Sequence, residues 1–147
     1  KESDYPSWLK NVGLVIMCGC YAALYGATLL EMFVAGIAAI VLPFIYKLDV
    51  KLGLGMFITN LISIIPMVII ICYLQETIFP SIHIGIPIIG AIMPAVPGTA
   101  ITNAIRDTLR GDYNSGTARA VEAAVTALSI SIAVVIGLLI GGGVNPI

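Results

Sequence analysis

Pro97-Gly98-Thr99-Ala100-Ile101-Thr102-Asn103-Ala104-Ile105-Arg106-Asp107 sets a helix breaker, two hydroxyls, an amide and a pair of opposite charges inside a sequence otherwise apolar enough to live in lipid. A bilayer tolerates broken helices and polar side chains where they are buried in protein or line a water-filled path. The residues upstream sharpen the point. Pro87, Pro94 and Pro97 each lack a backbone donor and Gly98 follows the last directly, which predicts a discontinuous helix restarting around Gly98–Thr99. The new N-terminus would present unpaired N–H groups and the positive end of a dipole, suited to an anionic group such as a carboxylate. Beyond the break, Thr99, Thr102, Asn103, Arg106 and Arg110 follow helical spacing and share one face. The competing reading is a proline-kinked helix whose threonines bond their own carbonyls; it accounts for the prolines but not for the polar stripe.

Composition decides what surrounds this segment. The chain is 59% hydrophobic with seven basic and eight acidic residues among 147, and its mean hydropathy is +1.07. A soluble domain carries about a quarter charged residues to cover its wet surface. At a formal net charge of −1 there is no electrostatic case for nucleic acid. Lys1 stands where an initiator Met would, so the chain reads as an excerpt or a processed product, and Lys1 to Ser7 lack the positive run of a signal peptide. Cys18, Cys20 and Cys72 fall inside apolar runs without zinc or redox spacing, and read as small packing residues.

Read in windows of about 20 residues, the chain divides into five apolar stretches, roughly 8–27, 29–46, 52–74, 82–105 and 118–144. The expectation is an all-α, polytopic transmembrane helical bundle, one domain of five spans with a broken fourth helix. Basic residues alternate between the connections: Lys1 and Lys10, then Lys47 and Lys51, then Arg106, Arg110 and Arg119 on one side, with no Lys or Arg around Glu31, from Glu76 to His83, or in the tail. The positive-inside rule then puts the N-terminus in the cytoplasm and the C-terminus outside. Gly19 and Ala23, Ala35 and Ala39, and Gly137 and Gly141 are small-residue pairs that permit close helix packing, the last also suiting a homo-oligomer seam. Trp8 and Tyr46 sit at the cytoplasmic edges as interfacial anchors.

Counting inward from the basic edges at 1.5 Å per residue puts Asn60 roughly 13 Å deep, Gly98 roughly 12 Å and Ser129 roughly 15 Å, near the midplane of a hydrocarbon core about 30 Å thick. Polar groups from three spans at one level are what a midplane substrate site requires. The candidate binding residues are Asn60, Pro97, Gly98, Thr99, Thr102 and Asn103. Arg106, Asp107, Arg119 and Glu122 form a candidate gate or coupling group, Arg106 with Asp107 as one pair. Glu122, three residues past Arg119, either forms an ordinary ion pair with it or takes up a proton or cation. Glu31, at the outer edge of span two, reads as solvated, and His83 as an outer-loop residue. No H-E-x-x-H, G-x-S-x-G or P-loop is present and one histidine cannot furnish a multi-His metal site, so neither an enzyme nor a metal or cofactor is expected.

The block from Pro97 to Asp107, with Gly111-Asp112-Tyr113, Ser115-Gly116-Thr117-Ala118-Arg119 and Glu122-Ala123, resembles the threonine/serine exporter (ThrE) family, in its larger, YjjP-type component or N-terminal half. The likeness runs from Tyr5-Pro6-Ser7-Trp8-Leu9 through Phe33-Val34-Ala35-Gly36 to the last span. It implies export of small hydrophilic metabolites driven by the proton motive force, threonine and serine in some members and succinate-like dicarboxylates in others. It implies a home in the bacterial cytoplasmic membrane and a second, YjjB-type membrane half. An odd number of spans would insert a fused second half in inverted orientation, a common transporter plan. A non-transporting structural membrane subunit is the rival from another class.

Overall fold

The computed structural model describes residues 6–142. Every regular element among them is helical: α1 (Ser7–Leu24), α2 (Leu29–Ala39), α3 (Val41–Leu52), α4 (Met56–Thr77), α5 (Gly85–Ile92), α6 (Gly98–Leu109) and α7 (Tyr113–Ile140), with a 3-10 turn at Met93–Ala95 after α5. Helices that close all their backbone bonds internally are one of the two solutions hydrocarbon allows. The last residues of the expected fifth span, from 143 on, lie outside the described residues.

Boundaries move where local chemistry outweighs hydropathy. Sequence reading ends span two at Tyr46; the structure continues the helix to Leu52, because no breaker intervenes before Gly53, which closes α3 in the left-handed conformation at φ 60°. Lys47 and Lys51 are thus helical residues rather than loop residues, with stems that can lie along apolar helix while their amines reach water. Between α2 and α3 the helix is interrupted at Ile40, where Pro43 offers no N–H to the Ala39 carbonyl. Span five begins at Tyr113 rather than near Ala118, since the Asp112 carboxylate caps it by accepting the Ser115 N–H at 3.1 Å.

Pairs of close approaches set the helix directions. The Gly19 backbone faces Met32 while Gly36 faces Val15, so α1 and α2 run antiparallel. Asn60 meets Ser129, Val68 meets Gly137 and Cys72 meets Gly141, so α4 and α7 run parallel. Two parallel helices joined in sequence need a return between them, and α5 with α6 supply it, bent by 54° at their junction. The bent pair is therefore one traverse of the bundle. The Gly137–Gly141 pair is spent inside the chain: a Cβ on Gly137 would lie 2.7 Å from the Val68 Cβ, and one on Gly141 2.9 Å from that of Cys72.

The core, around Val34, Leu42, Ile64, Met67, Val68 and Ile71, draws on every helix except α6. Cys18 and Cys72 join it as the sequence suggests, but Cys20 is exposed. Outside the core the polarity is that of a membrane protein: Leu29, Val50 and Leu139 are 84%, 86% and 65% exposed. Water would penalise such a surface and lipid does not. Three stretches are long and apolar enough to cross a membrane, namely α2 with α3 (24 residues), α4 (22) and α7 (28), and the bent α5–α6 pair makes a fourth. Helix α1 is apolar but shorter, from Trp8 to Leu24.

Candidate functional site

The break has the cause that the prolines imply. Pro94 cannot donate to the Gly90 carbonyl, nor Pro97 to the Met93 carbonyl, which takes the Val96 N–H at 3.2 Å in a 3-10 turn instead. A proline also pushes the residue before it out of helical space, and Val96 is extended at φ −65°, ψ 128°. Pro97 turns the chain at φ −80°, ψ 48°, and α6 starts at Gly98 with no side-chain cap. The Gly98 N–H bends back to the Val96 carbonyl at 2.8 Å, and helical bonding resumes from Ile101 to Pro97 at 3.0 Å. That leaves the Thr99 and Ala100 N–H groups to donate at the break.

Around them the surface is open. Gly98, Thr99 and Thr102 are exposed and Asn103 is half-buried. A Cβ on Gly98 would meet no atom within 4 Å, and its φ is not positive. Packing within this chain therefore does not explain the glycine. The back-bonding reading of the threonines holds for Thr102, whose hydroxyl donates to the Gly98 carbonyl at 2.9 Å; its oxygen keeps acceptor capacity.

The other end of α6 is closed. Asp107 Oδ2 accepts from Arg119 Nε and from Ser115 Oγ, each at 3.0 Å. Gly111 makes the tight turn at φ 85°, and a Cβ on Gly116 would collide with Thr108 Oγ1 and lie 3.1 Å from the Ala104 carbonyl. These contacts lock α6 and α7 into a hairpin. They correct the expected pairings: Asp107 takes Arg119 across the hairpin rather than its neighbour Arg106, and Arg119 does not pair with Glu122. Side chains one apart on a helix diverge, and Arg119 reaches a carboxylate that Ser115 already holds in place. Arg106 and Glu122 are exposed, without an ion pair among the described residues.

Asn60 and Ser129, matched in depth on the sequence, meet directly: Asn60 Nδ2 donates to Ser129 Oγ at 2.9 Å. Both lie in a buried polar seam between α4 and α7 with Thr59, Ser63 and Thr126. The hydroxyls there donate back along their own helices, Ser63 to Thr59 at 2.7 Å and Ser129 to Thr126 at 2.7 Å. No hydrogen bond among the described residues joins this seam to the break.

Glu31 is the residue that sequence reasoning misjudged. It is 2% exposed rather than solvated. One carboxylate oxygen accepts from the Thr28 N–H at 2.7 Å and the Thr28 hydroxyl at 3.0 Å; the other accepts from the His83 N–H at 3.0 Å. The signal was present as Thr28-x-x-Glu31, the capping-box spacing. What that spacing could not reveal is that the loop before α5 folds over the cap. Among the described residues no cluster of His, Cys, Asp or Glu could hold a metal ion.

Comparison with known proteins adds one positive finding. The family described as "Putative threonine/serine exporter" matches over residues 1–141. No curated protein and no solved structure matches the chain. The family match spans nearly the entire sequence, including the broken span and the hairpin, and these helices are those of a multi-pass membrane protein: the chain belongs to the threonine/serine exporter family.

Proposed function

We propose that this chain is one half of an exporter for small hydrophilic metabolites that carry a carboxylate, threonine and serine foremost and succinate-like acids second, driven by the proton motive force. The observation that carries this reading is the break at Val96–Gly98, after which the Thr99 and Ala100 N–H groups find no backbone acceptor, beside a Gly98 that no described residue packs against. A helix N-terminus carries about half a positive charge, which suits the carboxylate. Gly98 admits close approach of the ligand to backbone, while Pro97 holds the turn. Thr99, Thr102 and Asn103 supply neutral hydrogen bonds to the rest of the molecule. Asn60 stands behind this group, its amide nitrogen engaged with Ser129, and takes part only if that bond opens.

Arg106 and Glu122, exposed near the hairpin end, are the free charges available for gating or proton coupling; Asp107 and Arg119 serve by holding the hairpin that presents them. The second membrane half completes the site from the open side of α6. In this reading α1 is also a span, giving five, with the N-terminus cytoplasmic in a bacterial inner membrane. A cysteine introduced near Asn114 is then labelled from the cytoplasmic side and one near Ser81 from outside; labelling of both from one face overturns the topology. With the partner half present, export of labelled threonine, serine and succinate is compared for the native protein and Gly98→Leu. Loss of export in the inserted variant supports the site, the preferred substrate names the acid, and undiminished export moves binding elsewhere.

A further inference from the structure

At one end of the bundle, Lys10 on α1 and Lys47 and Lys51 on α3 line a single cavity of about 680 Å³ together with Asn11 and Tyr46. Every charged group in its lining is a cation; Asp49, the acidic residue of α3, is not among them. The three amines repel one another and no partner for them exists in an ion pair among the described residues. The cavity does not end at the lysines. Asn11 and Pro43 also line a second hollow of about 420 Å³, and Val15, Ile16 and Ile40 of that hollow line a third of about 580 Å³. The three hollows adjoin through these shared residues along α1, α2 and α3, basic at one end and apolar beyond.

The groove these hollows make matches one leaflet in length. From Asn11 at the basic mouth to Cys20 in the third hollow is nine residues, roughly 14 Å of helix; half of a hydrocarbon core is about 15 Å. Gly19 and Gly36 line its inner part, where they let α1 and α2 approach closely: a Cβ on Gly19 would lie 3.2 Å from the Met32 carbonyl oxygen and one on Gly36 3.4 Å from Val15 Cγ1. A free phosphate would satisfy the amines and leave the groove empty, and an uncharged lipid would do the reverse.

We propose that this groove is a binding site for an anionic phospholipid, with the headgroup phosphate held by Lys10, Lys47 and Lys51 and an acyl chain laid along the α1 seam. Basic pockets between transmembrane helices recognise lipid phosphates in this way. The site lies on α1 to α3, apart from the break, and does not depend on which metabolite is exported.

The test uses the full-length exporter purified in an uncharged detergent. Phosphatidylglycerol, phosphatidylcholine with the same chains, and glycerol 3-phosphate are titrated separately, following bound ligand by intact-complex mass spectrometry and the thermal midpoint. Phosphatidylglycerol should bind and raise the midpoint, phosphatidylcholine should bind far less, and glycerol 3-phosphate should do neither. Each lysine-to-glutamine change should weaken phosphatidylglycerol binding roughly fivefold, and the triple variant Lys10→Gln/Lys47→Gln/Lys51→Gln on the order of a hundredfold. Ile16→Trp, which keeps all three charges and fills the groove, should also lose binding, and decides the matter if the triple variant does not fold. Equal binding of the two lipids, a midpoint shift with glycerol 3-phosphate as large as with the lipid, or undiminished binding in the variants overturns the proposal. Gly98→Leu should bind phosphatidylglycerol like the native protein, so failure of the transport reading leaves this result standing.

Discussion

The two ends of α6 differ in how their polar groups are spent. At the Asp107 end, carboxylate, hydroxyl and guanidinium close on one another, and Gly116 brings the backbones together. At the Gly98 end, backbone donors, a threonine hydroxyl and a half-buried amide stand at a surface that no described residue closes. Both ends belong to one contiguous motif, so a motif's density in polar residues does not by itself say where ligand binds. What distinguishes them is whether the fold already consumes the group: a consumed group contributes to stability, and an unconsumed one is available to chemistry.

The sharpest way to break this contrast is Gly98→Leu. The fold gives the glycine no steric reason, so stability should change by no more than about 0.5 kcal/mol, as for surface substitutions, while export falls to background. Export that survives makes the open end merely open. Gly116→Val inverts the pattern. Its side chain has no room between Thr108 and Ala104, and the cost should be about 1–3 kcal/mol, read as a lowered thermal midpoint with transport retained by the protein that folds. A stability change confined to Gly98→Leu would reverse the assignment of the two ends.

Smaller effects sharpen the comparison within each seam. The Asp107–Arg119 pair is partly exposed, with side chains at 23% and 45%, so a double-mutant cycle to alanine should give a coupling of about 1 kcal/mol or less. The same cycle between Arg119 and Glu122 should give almost none, and a larger value there would restore the pairing that sequence spacing favours. Asn60→Ala should cost about 0.6 kcal/mol, typical of an interhelical bond in a membrane, and leave substrate affinity unchanged. Unchanged stability with affinity reduced roughly tenfold, about 1.4 kcal/mol, would instead bring Asn60 into direct contact with substrate.

The break was legible because proline acts on its own backbone: Pro94 and Pro97, three residues apart and followed by Gly98, remove two successive helical donors, whereas the lone Pro66 is carried inside α4. The relative level of one pair was legible too, since a constant rise per residue carried Asn60 and Ser129 to similar heights before their bond was seen. Pairings were not. Whether Arg119 chooses Asp107 or Glu122 depends on the rotation of α6 against α7, which Gly111 and Gly116 set through a turn and a close approach. Glu31 was misread for a related reason: its cap is local, but its burial comes from His83, 52 residues away. The end of span two escaped because Lys47 and Lys51 look like a loop by charge and are helical by backbone.

The parallel run of α4 and α7 has a consequence for how the protein is made. Asn60 and its partner Ser129 are 69 residues apart, and at about 5–20 residues per second the ribosome needs roughly 3–14 s to span that distance. For those seconds α4 is available to the bilayer while its amide has no Ser129 to bind. Water, the insertion machinery or a neighbouring helix must shelter it until α7 arrives. A nascent chain that stops before Tyr113 never gains that partner, so the Asn60 amide is matched only once α7 has been made.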